Sequence, residues 1–163
     1  MLDIVQGKAQ PGQQWLDAAS QQGVRTTDIC IGAVCQMSLR HKIELLIKEA
    51  KNNPDKPIQS FSLDDLKIMQ RNVQQVMGAF ESENRIIDAS AQVADRWGDL
   101  LDQQIEYHDS TTGAPYFIGS VQKLEIATAI IGRNGIGFSY VEREQPGHKD
   151  INGLVIVDPT KPF

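Results

Sequence analysis

Val121-Gln-Lys-Leu-Glu-Ile-Ala-Thr-Ala129, then Gly135-Ile-Gly-Phe-Ser-Tyr140, then Gly153-Leu-Val-Ile-Val-Asp-Pro159 carry the chain to its end. The first piece has helical apolar spacing. The other two are short apolar runs bounded by glycine, a polar loop and proline, which read as strands. A helix followed by two short apolar strands is the closing unit of an open α/β sheet domain.

Working outward, Asp28-Ile-Cys-Ile-Gly32 is continuously apolar, as a strand buried on both faces would be. A helix is expected from about Ala33 to Lys51, with Val34, Met37, Ile43, Leu46 and Ile47 on its inner face. Asn52-Asn-Pro-Asp-Lys-Pro57 breaks it as a surface loop. Ser62-Leu-Asp-Asp65 reads as a helix start, and Leu66, Met69, Val73, Val76, Met77 and Phe80 form the stripe that follows. Arg85-Ile-Ile-Asp88 predicts a short strand, and the segment from about Ala89 to Tyr107 a helix bearing Val93, Trp97, Leu100, Leu101 and Ile105. His108 to Pro115 is the clearest loop. Near the start, Gln10-Pro-Gly-Gln is a turn before a short helix with Trp15, Leu16 and Ala19, stopped at Gly23. This order predicts a single α/β domain over residues 1–163, a three-layer α/β/α sandwich around a mainly parallel sheet.

With 163 residues the chain is long enough to bury a substantial core. No apolar run approaches the ~20 residues of a membrane span. The start, Met-Leu-Asp-Ile-Val-Gln-Gly-Lys, lacks a charged-then-apolar export pattern, so the cytoplasm is the expected location. A net charge of −5 argues mildly against binding nucleic acid through phosphates. Arg40, His41, Lys42, Lys48 and Lys51 make one helix locally basic, which reads first as a solvated face and second as a weak RNA-contacting rim. Cys30 and Cys35 have neither zinc-knuckle nor redox spacing and read as small buried thiols. Gly132-Arg-Asn-Gly-Ile-Gly137 follows a helix and lacks the Lys-Ser/Thr of a phosphate loop, so it is a helix end and turn. His41, His108 and His148 are scattered, and no nucleophile elbow accompanies them.

Taken in order, these segments resemble a PIN domain of the VapC-like toxin kind. Met1-Leu-Asp-Ile keeps the Leu-Asp of that family's opening strand, and Trp15-Leu16-Asp17 matches a triplet common after it. Gly32 to Ile43 follows the family's second strand-to-helix passage, with Ala33, Leu39, Arg40 and Ile43 in place. Arg85-Ile-Ile matches the third strand and Trp97-Gly98 the aromatic–glycine pair of the next helix. Leu124-Glu-Ile-Ala-Thr-Ala129 echoes the family's Ile-Ala-Ala-Thr-Ala, and Gly153 to Pro159 its closing strand.

The resemblance implies a toxin–antitoxin ribonuclease scaffold that forms homodimers and receives an antitoxin-like protein partner. It also implies a ring of acids holding Mg²⁺ or Mn²⁺, because hard cations take oxygen ligands and activate a water. Asp3 falls at the first acid position, Ser38 at the second and Gln122 at the third; the region of the fourth reads Phe138-Ser-Tyr140. Glu125, one turn beyond Gln122, and Glu142 and Glu144 after the penultimate strand are substitutes, although a surface or loop acid is the simpler reading of each. One carboxylate does not concentrate a divalent cation against water. The expectation is therefore a catalytically degenerate PIN-like domain, without a cofactor, that serves as a binding, regulatory or dimerisation module. Two alternatives stand beside it. One is an active endoribonuclease with a rearranged site of Asp3, Glu125 and an acid between residues 142 and 150; the other is an unrelated small α/β binding protein.

Overall fold

The structure is a computed structural model that describes residues 10–53, 61–133, 135–159 and 161. The chain is mixed α/β and divides into two compact units, Met1–Ile86 and Ile87–Phe163.

The first unit opens with α1 (Gln10–Gln21), ended by Gly23 at φ 89°, and a 3₁₀ turn at Thr26–Asp28. That turn occupies part of the expected strand, because Asp28 turns back to bind Arg25 (2.9 Å) instead of extending. The strand proper, β1, is only Ile31–Gly32. It runs straight into α2 (Ala33–Asn52), which ends at the expected Asn-Asn break. Ser62 then caps α3 (Leu63–Ser82): its hydroxyl accepts the Asp65 N–H at 3.1 Å, while Asp65 accepts the Ser62 N–H at 2.9 Å. Such a cap is worth about 1 kcal/mol.

Helices α2 and α3 bury one face each. Leu39, Ile43, Leu46, Ile47 and Ala50 meet Leu66, Met69, Val73 and Met77, and Ile31 joins them. Two residues assigned to the inner stripes lie outside them: Met37 is 68% exposed and Val76 38%. Met37 is two positions from Leu39 and Val76 one from Met77, steps of about 200° and 100° around a helix, so neither shares the buried face. Cys30 and Cys35 are not joined in a disulfide and are only half-buried. At the end of the unit, β1 pairs with β2 (Ile86–Ile87), with the Ile31 N–H donating to the Arg85 carbonyl at 3.0 Å.

The second unit holds α4 (Ala91–Leu101), β3 (Glu106–His108), β4 (Pro115–Phe117), α5 (Ser120–Ile131), β5 (Tyr140–Val141), a 3₁₀ turn at Pro146–Asp150 and β6 (Ile156–Val157). Here the expected helix to Tyr107 is corrected. It stops at Leu101, and the Lys123 ammonium, itself buried, donates to the carbonyls of Leu101 and Gln103 at 2.8 and 2.7 Å. Those carbonyls lie where helical bonding has ended, so a buried cation satisfies them. Beyond them Ile105 to His108 alternate as a strand, and β3 pairs antiparallel with β4 in the register Tyr107↔Tyr116. The expected loop is the tip of that hairpin, closed by Asp109, whose carboxylate accepts the N–H groups of Thr111 and Thr112.

Gly132 terminates α5 as expected, and Trp97 donates its indole N–H to the Ser120 carbonyl at 2.9 Å, tying α4 to the start of α5. Val93, Leu100, Ile105, Tyr107, Ile118, Ile126, Ala127 and Ile151 form the core. Strands β5 and β6 run parallel, Tyr140 opposite Ile156. Among the described residues the strands thus form three two-stranded sheets, one parallel pair and one antiparallel hairpin included, where one mainly parallel sheet was expected. No helix among the described residues is long and apolar enough to cross a membrane.

Candidate functional site

The residues singled out from the sequence are dispersed. Asp3 lies outside the described residues. Ser38 is half-buried on α2 in the first unit, while Gln122 and Glu125 are half-buried one turn apart on α5 in the second. Glu125 accepts a long hydrogen bond, 3.4 Å, from the Tyr140 hydroxyl. Among the described residues no three His, Cys, Asp or Glu side chains converge closely enough to hold a metal ion. The basic residues of α2 are exposed, as a solvated face would be.

Among the described residues, polar side chains gather at a cleft in the first unit and in a buried cluster in the second. In the first, a cleft of about 180 Å³ between α2 and α3 is lined by Arg40, Ile43, Glu44, Gln70, Val73 and Gln74. That is below the ~300 Å³ at which small-molecule sites begin.

The second unit contains a buried polar cluster that sequence reasoning missed. Tyr107 on β3 and His148 on the 3₁₀ turn are 2% and 5% exposed, and the Tyr107 oxygen lies 2.6 Å from His148 Nε2. The same hydroxyl donates to Glu142 Oε2 at 2.7 Å, and that oxygen is 3.3 Å from His148 Nε2. On the far side of the imidazole, the Gln145 backbone N–H donates to Nδ1 at 3.1 Å. A backbone amide can only donate, so Nδ1 carries no proton and the neutral ring holds its proton on Nε2. The chain of donors follows: Nε2–H gives to the Tyr107 oxygen, and the Tyr107 O–H gives to the Glu142 carboxylate.

Local structure places each member. Alternation along β3 turns Tyr107 inward between half-buried Glu106 and exposed His108, and Tyr107 stacks edge-on with the imidazole, centroids 5.0 Å apart. Glu142 follows directly after β5. The turn carrying His148 approaches β3 so closely that a methyl group on Gly147 would lie 2.7 Å from the Glu106 carbonyl oxygen.

The surroundings bias every proton. Burial, reinforced by the bond to Glu142, holds the Tyr107 hydroxyl protonated far above the ordinary phenol range. Burial pushes the Glu142 carboxyl up; the Tyr107 hydroxyl pulls it back in part and Glu125 pushes it further up. Burial pushes the His148 imidazole down, against the opposing pull of Glu144 and Asp158. The three groups and the Gln145 amide thus form one chain of hydrogen bonds between fixed partners.

Removing one partner exposes the cost. Tyr107→Phe is expected to destabilise the second unit by about 1–3 kcal/mol, because Glu142 and His148 both lose a buried partner. Urea unfolding followed by tyrosine-independent circular dichroism measures it. Tyr116→Phe, on the half-exposed partner strand, is expected to stay within about 0.5 kcal/mol of wild type. Equal midpoints for the two variants would show that the Tyr107 hydroxyl contributes nothing.

Compared with models of known families, with curated proteins and with solved structures, the chain matches none.

Proposed function

We propose that this protein is a PIN-like domain that has lost metal-dependent ribonuclease chemistry and acts in the cytoplasm as a binding or regulatory module, as a homodimer or with an antitoxin-like protein partner. In this reading the two units are parts of one three-layer α/β/α sandwich. The observation that carries it is the state of Glu142. A catalytic Mg²⁺ or Mn²⁺ needs several ionised oxygens facing one point. Glu142 instead accepts the Tyr107 hydroxyl, lies against His148, and has its carboxyl biased toward the protonated form. Ser38 and Gln122, at two family acid positions, are neutral. This donor set does not fit a catalytic cation.

The test is RNA cleavage with millimolar Mn²⁺ or Mg²⁺, together with calorimetric titration of each metal. The expected result is no metal-dependent cleavage and no heat of binding. Robust Mn²⁺-dependent cleavage that is abolished in Asp3→Asn would overturn the reading and establish an active enzyme with a rearranged site.

A second reading, an unrelated small α/β binding protein, is favoured by the strands' falling into two-stranded pairs among the described residues. Cross-strand backbone contacts measured by NMR distinguish the two. A continuous sheet joining β1, β2, β5 and β6 supports the PIN-like reading, and persistently separate pairs support the second.

A further inference from the structure

The polar contacts of His148 do more than fill a core: they fasten a turn to a strand edge. Strand β3 pairs with β4 along one edge. Along the other, the His108 N–H donates to the Gln145 side-chain oxygen at 2.9 Å, so the segment from Gln145 to Asp150 covers what would otherwise be an open strand edge. Gln145 is in turn held by His148 at two points. Its N–H donates to Nδ1 at 3.1 Å, and its carbonyl accepts the His148 N–H at 3.1 Å. Nε2 then anchors the ring on Tyr107.

We propose that the 3₁₀ turn Pro146–Asp150 is a proton-sensitive latch, held over the edge of β3 by a neutral His148 and released when that ring takes up a proton. The reason is geometric. A second proton on the imidazole can only go to Nδ1, where it meets the Gln145 N–H head-on, donor against donor. One of the two must move. Turning the ring breaks the bond to Tyr107, and moving Gln145 withdraws the acceptor from the His108 amide. Either movement uncovers β3, and an uncovered edge is a template for pairing with another strand.

The charges around the ring set how hard the switch is to throw. Glu142 faces Nε2 directly, and Glu144 and Asp158 favour the charged ring from the segments after β5 and β6. Glu144 is itself paired with Lys161. Glu125 of α5 acts on Glu142. On β3, Glu106 and His108 bond to each other at 2.9 Å, and on the turn Lys149 and Asp150 are exposed. The acids favour the charged ring, and burial opposes it.

The sign follows from the two opposing shifts. His148 is depressed in the folded state, so its contribution is present above the ordinary imidazole value of about 6.5 and is lost as pH falls below it. Glu142 is raised, so its contribution runs the other way, strengthening as pH falls through its folded value. A global stability curve mixes the two, and the latch has to be read locally.

The experiment is amide hydrogen exchange and imidazole nitrogen NMR on the full chain. At neutral pH the His148 ring is expected to show protonated Nε2 and bare Nδ1. Between about pH 7.5 and about pH 5 the protection of the Gln145 and His108 amides, corrected for intrinsic exchange, is expected to fall at least about tenfold, while the β3–β4 amides stay protected. In His148→Asn, where the side-chain oxygen still accepts the Gln145 N–H but cannot titrate, that fall is expected to vanish. In Glu142→Gln it is expected to persist at lower pH, because a charge favouring the protonated ring has gone. The proposal is overturned if the wild-type ring takes up its proton while both amides remain protected, or if His148→Asn loses protection with the same pH profile as wild type.

Discussion

Gly132→Ala is expected to lose roughly 3 kcal/mol or more of stability, among the largest effects a single methyl group can produce. Gly132 closes α5 with φ 62° and ψ −142°, a combination close to the region that only glycine occupies comfortably. Its N–H donates to the Thr128 carbonyl at 2.8 Å, and immediately after it Arg133 and Ile136 exchange backbone hydrogen bonds of 3.1 and 3.0 Å. A Cβ at residue 132 would fall onto the Ile136 carbonyl oxygen, 2.6 Å from its carbon and 2.9 Å from the Gly137 Cα. All of these are backbone atoms, so no side chain can swing aside. Gly78→Ala provides the opposite case. It lies within α3 with open space around its missing Cβ, and alanine there is expected to add about 0.5–1 kcal/mol. Urea midpoints for the pair measure both signs. A Gly132→Ala variant as stable as wild type would show that this turn is not closed in the way described.

Ile126→Ala is the second large effect, expected to cost about 2–5 kcal/mol. Ile126 has no solvent exposure and belongs to the same buried cluster as Val93, Leu100, Ile105, Tyr107 and Ile118. Truncation removes three carbons from this core and leaves a cavity that two helices and a hairpin cannot all close. Ile126→Val removes one carbon and is expected to cost about 0.5–1.5 kcal/mol. Denaturant unfolding of the two variants gives the series. Equal losses for alanine and valine would mean that the site collapses freely, contrary to the dense packing described.

Helix α3 shows how much was open to sequence reasoning. Ser62 and Asp65 act within one turn of each other, so the capping box is a purely local pattern, and it stands in the structure as expected. Leu66, Met69 and Val73 repeat at helical spacing for the same reason. Where the expectation failed, a distant partner decided. The helix expected to reach Tyr107 ends at Leu101, because Lys123, on another element, satisfies the carbonyls there and because β4 offers Tyr107 a strand partner. Alternation from Ile105 to His108, followed by a turn with Asp109 and Gly113 and a second short run at Pro115, was a hairpin signal. The apolar spacing of Leu101 and Ile105 also fits a helix, so the local pattern is ambiguous.

The polar cluster had no such signal. Tyr107, Glu142 and His148 are separated by 35 and 41 residues across their hydrogen bonds, and each, taken in its own segment, is an ordinary strand or loop residue.

The amino-acid sequence by itself determined most of the helices, the Ser62 cap, the glycine that ends α5 and most of the buried stripes, because those depend on residues within a turn or two of each other. Only the tertiary structure decided that His148 is neutral, that Glu142 is a hydrogen-bonded acid rather than a loop charge, and that a turn lies over the edge of β3. Protonation and edge pairing depend on which groups are brought within about 3 Å and withdrawn from water, and that is a property of packing between segments distant along the chain.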